Sequence, residues 1–320
     1  MSVRHVVIEE HAGQRLDNFL HRELKNVPRS RIYRMVRRGE VRINGGRIGV
    51  SYRLQRGDRL RIPPVRIDSR NESHIGEATI NQISRAIMYE DEELLVLNKP
   101  VGVAVHGGSG IRHGIIEILR QTRSDVTFEL VHRLDRDTSG CMLIAKTRRM
   151  LLELHAAFRE ARVKKRYDAV VTGDWPQGLR TVRHSLRRYT LQSGERRVRI
   201  DLHGDKARTD FEIQQRGARV TRLWVYPHTG RTHQIRVHLR HAGHALIGDP
   251  VYGGQRKVSA RRLRETAQSL NEFPRQALHA QTLGFVHPSG ETLIFVSDLP
   301  TDIQALVEAL VGQGLARGQY

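Results

Sequence analysis

An α+β architecture, with a large mixed and mostly antiparallel sheet behind a small basic module, is what this 320-residue chain predicts. Three observations carry the expectation. From about residue 86 onward strand-like segments dominate, and helices are interspersed among them without a strict βαβ rhythm. Residues 1–68 hold 16 Lys and Arg against seven Asp and Glu, a net of +9, and read as a compact unit of their own. Between the two, "VRIDSRNESHIGEATINQISR" (65–85) is polar without clear periodicity and reads as a linker. The expected organisation is therefore 1–68, a linker over 69–85, and a larger domain over 86–320.

In the basic module, "QRLDNFLHREL" places Leu16, Phe19, Leu20 and Leu24 at helical spacing. "PRSRIYRMVRRG" gives a second helix, with Pro28 near its start, Gly39 as its stop, and Ile32, Met35 and Val36 as its apolar stripe. Short strands follow, turning at "NGG" (44–46) and "RGD" (56–58). In the larger domain, "AIMYEDEELLVLNKP" reads as a hairpin with an acidic tip and "CMLIAKT" as a buried strand. "RRMLLELHAAFREAR" is a helix with Leu151, Leu154 and Phe158 inward. "RYDAVVTG", "ARTDFEIQQR" and "RVTRLWVYP" are strands. "FVHPSGETLIFVSDL" is a hairpin closed at "PSGE", and "PTDIQALVEALVG" a terminal helix from Pro300 to Gly312.

Charge bounds the partners. A formal surplus of +20 points to a polyanion, most simply nucleic acid, although charge alone would also suit an anionic membrane surface. No apolar run approaches the roughly 18 residues of a membrane span, and "MSVRHVVIEEHAG" lacks a signal-peptide pattern, so a cytoplasmic location is expected. The single cysteine, Cys141, forms no intramolecular disulfide and no CxxC zinc site. Arg29, Arg31, Arg34, Arg37 and Arg38 follow one another with no acid between them, which is poor surface design unless phosphates balance it.

Three stretches could carry chemistry. "LVHRLDRDTSG" (130–140) sets Asp135 between Arg133 and Arg136, with Asp137 two residues on. Neighbouring arginines favour an ionised carboxylate, which suits a nucleophile or a general base. On the residues alone, a local ion-pair turn is the simpler reading. "HTGRTHQIRVHLRHAGH" (228–244) suggests a basic amphipathic helix with Ile235, Val237 and Leu239 inward, or an anion site where Gly230 turns the chain and Thr229 or Thr232 caps the helix. A metal site on His238, His241 and His244 is disfavoured, because Gly243 interrupts the helix and the arginines repel a cation. Tyr167, behind three basic residues in "KKRYDAVV", could stack on a base or simply pack in the sheet. "VHGGSGIRHG" (105–114) lacks the ending of a P-loop, no GxGxxG follows a strand, and GxSxG is absent.

Two resemblances organise these readings. "AGQRLDNFL" with "VPRSRIYRMVRRGEVRINGGRI" resembles the alpha-L RNA-binding domain over residues 12–62, in which the second helix and the following loop contact RNA backbone. "LLVLNKPVGVAVHGGSG", "HRLDRDTSG", "KKRYDAVV" and "TGRTHQIRVHL" resemble the signature blocks of RluA-type pseudouridine synthases over about residues 86–290. The wording of "AVHGGSG", "HRLDRDTSG" and "LQSGERRVR" is closest to the RluC subtype. "IGDPVYGG" (247–254) and "PRQALHA" (274–280) read more like the RluD subtype, which leaves the target uridines open.

The resemblance implies the pseudouridine synthase fold and a site-specific isomerisation of uridine in large-subunit (23S) ribosomal RNA, naked or in an assembly intermediate. It implies no cofactor and no metal. Asp135 matches the catalytic aspartate, and Asp137 a dispensable position. Arg133 matches the residue that fills the space left by a flipped uridine. Tyr167 matches the tyrosine stacked on the target base, Arg231 the arginine paired with the catalytic carboxylate, and Ile235 an apolar wall. Lys99, in "NKP", belongs to a familiar motif without an assigned role. A monomer is expected, with RNA as the partner. The competing expectations are a non-catalytic ribosome-assembly factor, an enzyme acting on another structured RNA, and an RNA methyltransferase, the last lacking any methyl-donor signature.

Overall fold

The computed structural model describes residues 3–24, 27, 29–65, 75–107, 111, 113–217, 220–253 and 273–311. Two compact units divide the chain, Met1–His74 and Ile75–Tyr320.

The first unit runs β1 (Arg4–Val7), α1 (Leu16–Glu23), α2 (Arg29–Arg37), β2 (Arg42–Ile43) and β3 (Arg59–Ile62). Its antiparallel sheet has the order β1-β3-β2. The apolar stripes predicted for the two helices form one core: Leu16, Phe19, Leu20 and Leu24 bury against Ile32, Met35 and Val36. The "NGG" turn forms as expected, with Asn44 and Gly45 at φ 51° and 81° and reciprocal Ile43–Gly46 backbone bonds. Two successive positive φ values are what a tight hairpin turn of this hand requires. Pro28, expected at the start of α2, lies outside the described residues.

The second unit begins with α3 (Glu77–Arg85), then β4 (Ile87–Glu90), β5 (Leu94–Lys99), α4 (Ile115–Thr122), β6 (Glu129–Leu130) and β7 (Ser139–Ala145). Next come α5 (Arg148–Arg159), β8 (Lys164–Thr172), β9 (Thr181–Arg183), β10 (Leu186–Thr190), β11 (Arg196–Ile200), β12 (Arg208–Gly217) and β13 (Val220–Pro227). It ends with α6 (Gln234–His241), β14 (Leu278–Val286), β15 (Thr292–Val296) and α7 (Thr301–Val311). Thr147 caps α5, its side chain accepting the Met150 N–H at 3.2 Å. Gly312, expected to stop α7, lies outside the described residues.

Ten strands build one sheet in the order β4-β5-β7-β14-β8-β13-β12-β9, with β15 on β14 and β6 on β7. Every pairing is antiparallel except β7 with β14, so the sheet is mixed and mostly antiparallel, as predicted. That parallel seam consists of Ser139 opposite His279 and Gly140 opposite Ala280. Gly140 has φ +110°, and a Cβ there would meet the Ala280 carbonyl oxygen at 2.2 Å. Only glycine fits where the two strands close. β10 and β11 form a separate two-stranded ribbon. It packs Leu186 and Val198 against Val237 of α6.

One part of the linker expectation is corrected. Residues 77–85 are helical, because Ile75, Ile80 and Ile83 gather on one side and pack with Ile115 and Leu119 of α4. Residues 69–74 of that stretch lie outside the described residues.

Candidate active site

Asp135 lies in the loop that leads from β6 into the parallel seam. That loop is fastened from several directions. Lys99, fully buried at the end of β5, donates from Nζ to the carbonyls of Pro100, Val103 and Arg136 at 2.7, 2.8 and 2.8 Å. The Gly102 N–H donates to the same Arg136 carbonyl at 3.0 Å. The Thr138 N–H donates to the Asp135 carbonyl at 3.1 Å, and Gln276 Nε2 donates to Thr138 Oγ1 at 2.6 Å. Arg275, ion-paired to Asp302 at 2.6 Å, donates to the Asp137 carbonyl at 3.2 Å. Burial pushes the Lys99 ammonium down to about 7, against the pull of Asp137 and Asp135. Three carbonyl acceptors match the three N–H donors of an ammonium, so Lys99 straps the loop rather than facing substrate.

The carboxylate of Asp135 is 20% exposed, and its Oδ2 accepts from Arg236 Nη1 at 2.8 Å. Arg236, only 6% exposed, turns its other edge to Asp249, with Nε–Oδ2 at 2.7 Å and Nη2–Oδ1 at 2.9 Å. One guanidinium thus bridges two carboxylates through three charge-assisted bonds. Burial opposes the charge on Arg236, but Asp249 and Asp135 outweigh it and raise its pKa. Burial likewise works against the Asp249 charge, and Arg236 with the N–H groups of Tyr252 and Val251 overcomes it, so that the carboxyl lies below its usual range. The Tyr252 ring lies 5.0 Å from the Arg236 guanidinium carbon.

This geometry corrects the expectation for Arg231. Arg231 lies ahead of α6, is exposed, and donates from Nε to the Lys206 carbonyl at 3.3 Å. The partner of Asp135 is Arg236, one and a half turns further on. α6 is buried from Gln234 through Leu239, and its polar residues Gln234, Arg236 and His238 all have internal partners. Nor is α6 capped by Thr229 or Thr232. Its N-cap residue is His233, in the left-handed region at φ 51°, and the Gln234 side chain instead accepts from Thr229 Oγ1 at 2.7 Å and the Arg231 N–H at 3.1 Å.

Tyr167, on β8 beyond the seam, is half-buried and touches two apolar clusters. One contains Leu134, Met142 and Ala280; the other contains Ile235, Val225 and Leu278. Burial raises its phenol pKa, and the charge of Asp135 adds to the rise. Ile235 is 7% exposed and shares the second cluster with Tyr167. Arg133 is exposed, without an ion pair among the described residues, and its charge reaches His233. Asp137 pairs with Arg136 at 3.0 Å, the local charge balance expected of it.

Asp249 and His233 were not singled out in the sequence. Asp249 stands in "IGDPVYGG", where an acid ahead of a Pro-containing turn offered the one available signal. His233 stood among several histidines, and nothing in its spacing marked the backbone it adopts. In the first unit, Arg34, Arg37 and Arg38 are exposed and carry no ion pair among the described residues. Arg31 is half-buried and meets Glu40 at 3.5 Å. The Arg29 side chain lies outside the described residues.

Comparison with known proteins places the chain in a family. Residues 93–241 match the model of a family described as RNA pseudouridylate synthase, and residues 14–60 match the S4 domain. The chain is 45% identical over 311 residues to ribosomal large subunit pseudouridine synthase C of Haemophilus influenzae, covering 95% of this chain and 94% of that one. It is 45% identical over 314 residues to the protein of the same name from Escherichia coli K12, covering 97% of each. Among solved structures, human RNA pseudouridylate synthase domain containing 4 superposes with a TM-score of 0.59 at 25% identity, over 72% of this chain and 95% of that one. Human RNA pseudouridylate synthase domain containing 1 gives 0.54 at 27% identity, over 71% and 87%.

Proposed function

Because the chain belongs to the RNA pseudouridylate synthase family, we propose that it isomerises specific uridines of large-subunit ribosomal RNA, with Asp135 carrying the chemistry. The observation that supports this most directly is the Asp135 carboxylate itself. It is partly open to solvent, fixed at one oxygen by a buried arginine, and close enough to Tyr167 for its charge to act on that phenol. The target base must leave its stack, which costs a few kcal/mol. Arg133, exposed two residues before Asp135 in the same loop, fills the vacated space, and Tyr167 with Ile235 forms the platform and wall that receive the base.

The reaction breaks the N1–C1′ bond, rotates the uracil and joins C5 to C1′. The C5 proton leaves and N1 gains one, so the step is a net isomerisation. A carboxylate can serve it by attacking C1′, by adding to the ring or by taking the C5 proton. Each of these needs the carboxylate held in a fixed orientation, and Arg236 holds it through Oδ2. The detached uracil is retained by the apolar wall and by exclusion of water.

Arg34 and Arg37 of α2, with Arg38 just after it, supply backbone affinity, since phosphates balance arginines that have no internal acid. This reading places the enzyme in the cytoplasm and has it act as a monomer on its RNA. No described helix is long and apolar enough to cross a membrane.

Carbodiimide-dependent reverse-transcription stops in ribosomal RNA test the reading. Stops should vanish in cells lacking the protein and in cells carrying Asp135→Asn. If the missing protein costs no pseudouridine, the enzymatic reading falls; if Asp135→Asn restores every stop, the catalytic assignment falls.

A further inference from the structure

With Oδ2 of Asp135 committed to Arg236, the question is what governs Oδ1. The His233 imidazole faces it, with Nε2 3.8 Å from Oδ1. His233 has an unusual backbone for a residue with a side chain, φ 51° and ψ 21°, immediately before α6. A strained conformation beside a reactive group is an observation from which function can be argued. Here the strain aims the imidazole between two partners: Nε2 faces Asp135 and Nδ1 lies 2.9 Å from the Tyr252 hydroxyl.

The hydroxyl fixes the tautomer. The Val198 N–H donates to Tyr252 Oη at 2.9 Å. The phenolic proton therefore turns to the other neighbour of that oxygen, Nδ1 of His233. Nδ1 then accepts, and the ring proton of the neutral imidazole resides on Nε2, pointing at Oδ1. Burial lowers the His233 pKa, against the pull of Asp135, which keeps the ring neutral near pH 7. Tyr252 also lies against the Arg236 guanidinium, and its backbone N–H donates to Asp249 at 2.9 Å. The short segment 249–252 thus supports both donors that face the catalytic carboxylate.

The geometry points to His233 as a positioning residue, a neutral Nε2–H donor that orients Asp135 through Oδ1 and is itself held in that tautomer by Tyr252. At 3.8 Å the contact is longer than a hydrogen bond; it closes when the carboxylate turns by about 1 Å, as catalytic bonds often do on substrate binding. His233 is a tether for the oxygen left free by Arg236, not a third acid or base. This inference rests on the assignment of Asp135 above.

The test uses the full-length protein and large-subunit ribosomal RNA transcribed with uridine tritiated at C5, with tritium release as the readout. His233→Gln places an amide nitrogen where Nε2 stood, whereas His233→Asn tolerates the left-handed backbone but puts its amide where Nδ1 stood. His233→Gln should keep kcat within about threefold of wild type, while His233→Asn loses about 10- to 100-fold in kcat with KM within about twofold, the scale of one hydrogen bond to a charged group. Tyr252→Phe, which leaves the His233 backbone untouched, should lower kcat by about three- to tenfold by freeing the tautomer. Asn turning over like wild type, or Gln and Asn falling equally, overturns the proposal, as does an unchanged kcat in Tyr252→Phe. Absence of tritium release from the wild-type protein would instead sink the enzymatic reading.

Discussion

Replacing Arg236 by lysine separates the role seen in the structure from the one expected of Arg231. Lysine keeps the positive charge but loses the fork. One ammonium cannot reach both Asp135 and Asp249, so two of the three bonds at 2.8, 2.7 and 2.9 Å are lost. Hydrogen bonds to charged groups contribute about 1.5–3 kcal/mol each, and breaking a buried ion pair costs about 3–5 kcal/mol, so Arg236→Lys should cost about 3–5 kcal/mol. Arg236 is 6% exposed, so solvent screening relieves little of this. For a domain of this size each kcal/mol lowers the melting temperature by about 2–4 °C, giving a drop of roughly 10 °C. Activity should fall further than stability explains, since a misplaced catalytic group costs about 100-fold in kcat. Arg231→Lys removes one exposed bond of 3.3 Å and should stay within about 0.5 kcal/mol of wild type, with kcat within about twofold. Urea denaturation gives the stabilities, and tritium release at a temperature where both variants are folded gives the rates. If Arg231→Lys proves the crippled variant and Arg236→Lys the healthy one, the arrangement around Asp135 has been misread.

Other outcomes follow from particular contacts. Hydrogen bonds from Arg123, helped by Lys146, hold Glu90 at about 2 against its burial, so its stabilisation is present above pH 4.5 and lost as pH falls from 4.5 toward 2. Glu90→Gln should cost about 2–3 kcal/mol at pH 7 in urea denaturation, and a deficit that persists unchanged down to pH 2.5 would refute the ion-pair account. Gly140→Ala must push a Cβ into the Ala280 carbonyl at a positive φ, and should cost more than about 3 kcal/mol or prevent folding, read as loss of the cooperative melt. Converting Arg34, Arg37 and Arg38 together to Glu should weaken RNA binding in filter retention and flatten the log K against log salt slope by about 0.7–0.9 per lost phosphate contact; an unchanged slope would remove α2 from the interface.

How much of this was legible beforehand depended on whether the signal was local. The helices of the first unit announced themselves by Leu16, Phe19 and Leu20, and by Ile32, Met35 and Val36, which the structure buries together. The strands of the large sheet were readable because runs such as "CMLIAKT" are apolar throughout, as a strand covered on both faces must be. α3 was hidden because its apolar side consists of two isoleucines among polar residues, too few to show a period. At the site, Asp135, Tyr167 and Ile235 were proposed through motif resemblance; Tyr167 packs with Ile235 and lies within reach of the Asp135 charge. Arg231 was chosen over Arg236 because phase within "TGRTHQIRVHL" depends on where the helix begins. That start is set by the left-handed His233 and by the Gln234 side chain, neither visible as a composition or a period. Asp249 stayed obscure for the same reason: its importance comes from a guanidinium that folding brings to it.

The parallel seam has a bearing on when the active site exists at all. Ser139 and His279 face each other across 140 residues of chain, and the loop of Asp135 takes bonds from Gln276 and Arg275, equally far downstream. Contacts at such separation carry a large loop-closure cost and form late in folding. A growing chain therefore has Asp135 and Tyr167 long before it has a place for them. The loop of Asp135 is fastened only when β14 arrives and inserts between β7 and β8, so a chain cut short before residue 280 keeps every residue proposed for the chemistry and lacks the strand that assembles them.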